Sequence, residues 1–529
     1  MTGKLNSVEL CIYFSAWITA NCYILYKLFQ VQNEILEDTP EENWSDLEPG
    51  WDFLSRYRDV SDLEWKSWKY FFQTSWYYLM FQFLMSEMIR VINKSYLKYW
   101  YIISSVIFIT SYMGIKQMII ITVQPVLYLT ILFSGGGKGS IWLISGALLA
   151  SYNTFKYKHY FWYLFKDTLY DEEVYLILVC IAWIELRCIS FCIEYIDRKE
   201  KLKMSKVVEL NDPPVWETII NMLSYIFYLP LLYTGPVILY EDFERSFQVQ
   251  SDNITTRLRR FIWDMALFLL YTFILDLAFH YIYFYAMQNE IEAITELPTM
   301  ALCGGGLWMG LEFHMKYVIS YGTTAAFARL DNMEAPPTPR CIARVHVYSQ
   351  MWRYFDVGLY KFLVKYIYKP SLSMISRYLK LLPVMLHKLT ASFATFIFIF
   401  IWHGTVWDVF VWSALNFLGI TLEHLGKATS TTEAYKWFKK EVLRSDEMEV
   451  RFLALVCTPL LIMSAISNFY LFAGSKVGNV YFACFLTPST WNSVIVTLSM
   501  YSCCHVSIAL QNVSTRTDVK KQNVHCKAD

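Results

Sequence analysis

Long apolar runs separated by short polar stretches dominate this chain. The first extends from about Leu10 to Leu28 behind one early lysine, Lys4, with no small-residue cleavage site after it, and reads as a retained signal anchor. Further runs lie near 69–91, 100–134, 140–155, 174–196, 216–239, 260–287, 297–325, 387–402, 404–424, 450–472 and 488–511. A membrane helix needs about 20 mostly apolar residues. The pattern therefore predicts an all-α, polytopic membrane protein of about ten transmembrane helices plus re-entrant segments enclosing a tunnel. The 100–134 run is too long for one crossing, and 387–424 holds two short ones that suit a re-entrant path inside a protein-enclosed cavity. No internal repeat divides the chain, so 1–529 is expected to be one multi-pass domain.

The polar stretches set the expected topology. Between Glu34 and Glu64 eleven acidic residues face only Arg56 and Arg58, so the 30–68 loop is expected in the lumen. It is read as a solvated face, with a contact surface for a basic protein as the alternative. DRKEKLKMSK (197–206) is basic and is expected as a cytosolic loop. Residues 336–387 mix Lys and Arg with aromatics and read as amphipathic or re-entrant structure at the cytosolic interface. Residues 512–529 form a polar C-terminal tail.

Composition narrows the class. Of 529 residues 55% are hydrophobic and 17% charged, against roughly 45–50% and about 25% in soluble domains. Forty-six basic residues balance forty-six acidic ones, which excludes a nucleic-acid-binding protein, and the apolar excess excludes a disordered chain. The 12 cysteines include no pair at C-x-x-C spacing and indicate neither a disulfide framework nor a zinc site. SGGGKGS (134–140) fails the phosphate-loop pattern, since Leu132 and Gly139 stand where Gly and Ser or Thr are needed. It reads as a turn.

Three polar features interrupt the apolar runs. Glu185 and Arg187 lie inside VYLILVCIAWIELRCISFCIEYI (174–196), where an unpaired charge costs several kcal/mol. Two apart on a helix, they cannot face each other, so each needs a partner on another element. In FIFIFIWHG (396–404) seven apolar residues precede His403. A neutral, desolvated imidazole there is either a hydrogen-bonded core histidine or a general base that takes a proton from an attacking nucleophile. Asp356 lies in MWRYFDVGL (351–359), three residues after Arg353, a spacing that would put both on one helical face. They form an ion pair, or Asp356 orients an imidazole or amine while Arg353 holds a phosphate.

Taken in order, RLDNMEAPPTPRC (329–341), MWRYFDVGL, WHG (402–404) and WSALNFLG (412–419) resemble the membrane-bound O-acyltransferase superfamily, and within it the Hedgehog acyltransferase branch. DLEWKSW (62–68), YIFYLPLLYTGPVI (225–238) and CHVSIA (504–509) add weaker support, so the resemblance spans about residues 60 to 510. It implies an enzyme of the endoplasmic reticulum membrane, or the Golgi, that moves palmitate from palmitoyl-CoA to the N-terminal cysteine of a secreted Hedgehog-type protein. EGF-like ligands with that terminus are a further candidate substrate. The resemblance makes His403 and Asp356 the catalytic pair; the family's more usual partner is Asn, and a non-catalytic relative lacks the histidine. It also implies acyl-CoA contacts at Trp352, Arg353 and Asn416, and a haem b ligated by Cys341. The segment from Asp356 to His403 is longer than the family pattern, which puts loop placement in question. Acylation of a serine or lipid hydroxyl is the alternative within the enzyme class, and a transporter the alternative outside it.

Overall fold

The apolar runs become helices, and the residues at their ends set where they stop. A computed structural model describes residues 5–38, 46–165, 168–204, 214–248, 252–341, 346–486 and 490–525. Helix α1 (Ser7–Asp38) leads to a hairpin of β1 (Leu47–Pro49) antiparallel to β2 (Tyr57–Asp59). Then follow α2 (Leu63–Ile92), α3 (Leu97–Tyr112), α4 (Ile115–Phe133), α5 (Lys138–Tyr157), α6 (Tyr160–Phe165) and α7 (Asp171–Met204). The middle of the chain holds α8 (Val215–Ile226), α9 (Tyr240–Gln248), α10 (Ile254–Ala278), α11 (Phe284–Met287), α12 (Ile291–Glu296) and α13 (Thr299–Leu330). Short helices α14 (Tyr348–Tyr354), α15 (Val357–Leu363) and α16 (Lys369–Tyr378) come next. The chain ends with α17 (Val384–His403), α18 (Trp407–Thr429), α19 (Glu433–Phe438), α20 (Asp446–Leu486) and α21 (Thr490–His525).

Among the described residues eight helices are long and apolar enough to cross a membrane: α1, α4, α7, α10, α17, α18, α20 and α21. The fold is the expected polytopic helical one. Helix α7 is its axis. Its apolar stretch is 89% buried, against 11% for α10 and 0% for α1, as expected of a helix hydrophobic all round.

Several boundaries differ from the sequence expectation. The 100–134 run splits at Met113 and Gly114, whose φ of 91° suits glycine and ends α3. The runs at 387–402 and 404–424, expected as short, belong to helices of 20 and 23 residues, Val384–His403 and Trp407–Thr429. Residues 197–204, expected as loop, are the last turns of α7. In the 30–68 region, α1 reaches Asp38 and α2 begins at Leu63, with the hairpin between; 39–45 lie outside the described residues. Of the polar tail, residues up to His525 continue α21, and 526–529 lie outside the description.

The largest departure is 216–239, which is not a span. Helix α8 stops at Ile226, and after one 3-10 turn at Leu229–Leu231 the buried chain runs without helix to Leu239. Pro230 and Pro236 remove donors there. Arg187 of α7, fully buried, satisfies the orphaned backbone: its guanidinium donates to Ile226 O at 2.8 Å and to Leu231 O. Tyr225 adds a bond to Ile238 O at 2.6 Å. Glu185 accepts from the Tyr128 hydroxyl of α4 at 2.6 Å. Both charges find partners on other elements, as their spacing required.

The hairpin packs on α10 and α11. His280 Nδ1 donates to Asp276 O at 2.7 Å, while Nε2 accepts the Trp51 amide at 3.0 Å. Asp59, 3% exposed, accepts the Ala286 amide at 3.0 Å and the Ser61 amide at 3.1 Å. Burial nevertheless pushes its carboxyl up to about 6 from an ordinary 3.8. A raised folded-state value adds stability that is complete below pH ~4 and lost as pH rises through about 6. Over that window the effect is about 3 kcal/mol. Asp59→Asn should remove this stabilisation on acidification; it is read as the difference between wild-type and variant unfolding midpoints at pH 7 and pH 4.5.

Candidate active site

The second half of helix α17, from Phe396 to Trp402, is uniformly apolar until it delivers His403 at the C-terminus. Gly404 ends the helix at φ 147°, and a Cβ there would fall 1.8 Å from the Tyr157 hydroxyl. The last turn is pinned from two sides. Asn153 of α5 donates to Ile401 O at 2.9 Å, and Trp402 Nε1 donates to Ala182 O of α7 at 3.2 Å. The His403 ring meets Trp402 (4.8 Å between centroids) and Trp412 of α18 (5.0 Å), both edge to face. No described side chain hydrogen-bonds this imidazole, which leaves its nitrogens to whatever enters.

Asp356 sits in the break between α14 and α15. It is the N-cap of α15, where Oδ1 accepts the Leu359 amide at 2.8 Å; Oδ2 accepts the Tyr321 hydroxyl of α13 at 3.1 Å. Enclosure raises the carboxyl above its ordinary range, against those two donors. Gly358 lets this turn approach the irregular segment, since a Cβ on it would stand 2.0 Å from Val237 O.

His403 and Asp356 line one cavity of about 250 Å³. Trp68, Leu176, Val179, Leu471 and Phe472 give it an apolar wall. One face of α13 supplies Phe313, Lys316, Tyr317, Ser320 and Tyr321 at helical spacing. Of the other expected site residues, Trp352 also lines it. Arg353 does not; it is exposed, with its guanidinium over the Tyr360 ring at 5.9 Å. Nor does it pair with Asp356, because the helix breaks between them and the (i, i+3) geometry is lost. Asn416 is fully buried behind the cavity, where it accepts Trp352 Nε1 at 3.1 Å and donates to Trp412 O at 2.8 Å. Asn416, expected at the acyl-CoA site, thus stands outside the lining and braces two residues whose rings form it. Cys341 is half-buried and outside the lining. The segment 342–345 that follows it lies outside the description.

Sequence reasoning missed an ion cluster at the cavity edge. Lys316 Nζ contacts Asp62 Oδ2 at 2.6 Å, Glu64 Oε2 at 2.9 Å and Glu312 Oε1 at 3.5 Å. Tyr317 donates to Glu64 at 2.8 Å and Tyr285 to Glu312 at 2.6 Å. Asp62 also caps α2 through the Trp65 amide at 3.0 Å. Only DLEWKSW hinted at this, and nothing in it named Lys316.

The family model of the membrane-bound O-acyltransferases matches residues 138–472, well over half of the chain. The chain belongs to this family. The matched stretch contains His403, Asp356, Trp352 and Asn416, whereas Asp62 and Glu64 lie before it. Among curated proteins, the chain is 28% identical to the protein-cysteine N-palmitoyltransferase Rasp of Drosophila melanogaster over 485 residues, 90% of this chain and 89% of Rasp. It is 30% identical to the protein-cysteine N-palmitoyltransferase HHAT of Mus musculus over 54% of this chain and 56% of HHAT. The HHAT-like protein of Mus musculus is 25% identical over 71% of this chain and 70% of its own length.

Lys316→Met would leave Asp62 and Glu312 buried without their cation, a loss of about 3–5 kcal/mol. Thermal unfolding in detergent should show a large drop, partly restored by adding Asp62→Asn.

Proposed function

We propose that this chain is a protein-cysteine N-palmitoyltransferase, acting in the endoplasmic reticulum or Golgi membrane on secreted Hedgehog-type proteins with an N-terminal cysteine. EGF-like ligands with such a terminus form a second substrate class. The reading rests on one observation: His403 and Asp356 face a single aromatic-lined cavity in a chain similar to Rasp over nine-tenths of its length. The acyl chain of palmitoyl-CoA takes the apolar wall, where each buried methylene contributes about 0.8 kcal/mol. The thioester carbonyl lies against His403.

His403 acts as base. It accepts a proton from the incoming N-terminal amine or cysteine thiol, whose lone pair attacks the carbonyl carbon. The carbon–sulfur bond to CoA breaks, and the leaving thiolate takes up the proton. Attack by nitrogen gives the amide directly; attack by sulfur gives a thioester that shifts to the nitrogen. Asp356 attracts the substrate ammonium, since both its oxygens already hold donors and keep the carboxylate fixed. Trp352, held by Asn416, forms the wall along which the thioester lies. Arg353, outside the cavity, is left for the phosphates of CoA.

Purified enzyme given labelled palmitoyl-CoA should label a short peptide beginning with cysteine, in an alkali- and hydroxylamine-stable bond, and not its N-acetylated form. Label on a serine hydroxyl instead would favour O-acylation. Turnover in His403→Ala should fall at least about 100-fold with the unfolding midpoint retained; near-normal turnover removes His403 from the mechanism. Asp356→Asn retains a good helix cap while deleting the charge, so its loss of turnover should come without loss of fold. Gly404→Ala should impair turnover through its clash with Tyr157.

A further inference from the structure

A second cavity, of about 420 Å³, shares no lining residue with the first. It lies where the link between α2 and α3 meets α8, α9 and the turn at Asn332. Its charges are uneven. Arg90 lines it but is neutralised, held by Glu87 and by Asp331 at 2.8 Å. Lys94 and Lys98 also line it, and among the described residues neither makes an ion pair. Lys98 donates to the neutral Asn221 Oδ1 at 2.6 Å and lies over the Phe247 ring at 5.2 Å. The one carboxylate in the lining outside the Arg90 pairings is Glu217. Two ammonium groups thus converge on a space that supplies no counter-ion for one of them.

The rim is apolar and aromatic. Trp216, 58% exposed, and Tyr99, 39% exposed, line the cavity, and both residue types favour the interface between bilayer and water. Val91 and Ile92, 88% and 75% exposed, precede Lys94 by three and two residues and offer an outward apolar surface. The end of the bundle is fixed by Arg198, which bridges to Glu244 at 2.5 Å. That contact ties the basic end of α7 to α9, the helix that supplies Ser246 and Phe247 to the cavity. By the positive-inside pattern this end is cytosolic, where the leaflet carries anionic lipid.

We propose that this cavity binds the headgroup of an anionic phospholipid of the cytosolic leaflet. The phosphate takes Lys94 and Lys98, the acyl chains run down past Ile92, and Glu217 meets an amino group on the headgroup. Phosphatidylserine fits that set of charges. A soluble phosphate shares the lysine chemistry but makes no use of the apolar rim.

The test uses the full chain in phosphatidylcholine nanodiscs doped with a photoactivatable phosphatidylserine. Cross-links should map to residues around 91–99 and 216–221, and the double variant Lys94→Gln/Lys98→Gln should lower that labelling about tenfold or more. The exposed pair Lys436→Gln/Lys440→Gln removes the same charge elsewhere and should label as the wild type does. Equal loss in that control, labelling at other positions, or unchanged labelling in the cavity variant would overturn the proposal. So would displacement of the lipid by millimolar CoA or inorganic phosphate, which would give the cavity to a soluble anion. Lys94 is exposed, so Lys94→Gln alone keeps the test open if the double variant fails to fold. No acyl transfer is measured, so the outcome is independent of the proposed enzymatic reading.

Discussion

A backbone without regular structure survives inside a bilayer only where protein groups satisfy it. Here that task falls to Arg187. Apart from one 3-10 turn, the stretch from Phe227 to Leu239 forms neither helix nor strand, yet it is almost entirely buried, and the Arg187 guanidinium donates to the carbonyl of Ile226, which ends α8, and to that of Leu231, which ends the turn. The consequence travels outward. Val237 O on this segment is the surface on which Gly358 packs, and Gly358 fixes the turn that starts with Asp356. A buried arginine with no part in the chemistry thus sets where one wall of the cavity stands. Replacing a buried charge by a well-packed apolar residue is often harmless. At Arg187 it would instead orphan two carbonyls.

Helix α13 is the second organiser. It holds the Lys316 cluster at one turn and the Tyr321 hydroxyl, on Asp356, at the next, with Tyr317 between them on Glu64. Asp62 and Glu64 beside one lysine leave the cavity edge acidic, which suits a cationic peptide terminus better than a phosphate. The apolar and aromatic surfaces lie on α7, α17 and α18. The lysine–carboxylate cluster at the cavity edge thus comes from α2 and α13, and α7, α17 and α18 bring mainly ring and aliphatic surface.

Much of this was legible in the sequence, for definite reasons. His403 and Asp356 stood out as isolated polar groups in apolar surroundings. Glu185 and Arg187 stood out as charges needing partners. What could not be read were the partners themselves. Backbone carbonyls at Ile226 and Leu231 carry no signature in side-chain type, and Lys316 lies some 250 positions from Asp62. The Arg353–Asp356 pairing failed because spacing assumes one continuous helix, and this one breaks at Phe355. Asn416 was placed in the cavity by resemblance, but its contacts put it behind Trp352.

Asp356 has a double attachment. One carboxylate oxygen begins a helix and the other faces the cavity beside a tyrosine hydroxyl. A cap contributes about 0.5–2 kcal/mol, comparable with a sizeable share of a marginal stability margin. Chemistry and local folding at this residue are hence thermodynamically linked: whatever pulls on the carboxylate also pulls on the first turn of α15. A substrate that engages Asp356 would tighten or loosen that turn, so occupancy of the cavity should be visible as changed amide-hydrogen exchange at Leu359, whose N–H is the one the carboxylate holds.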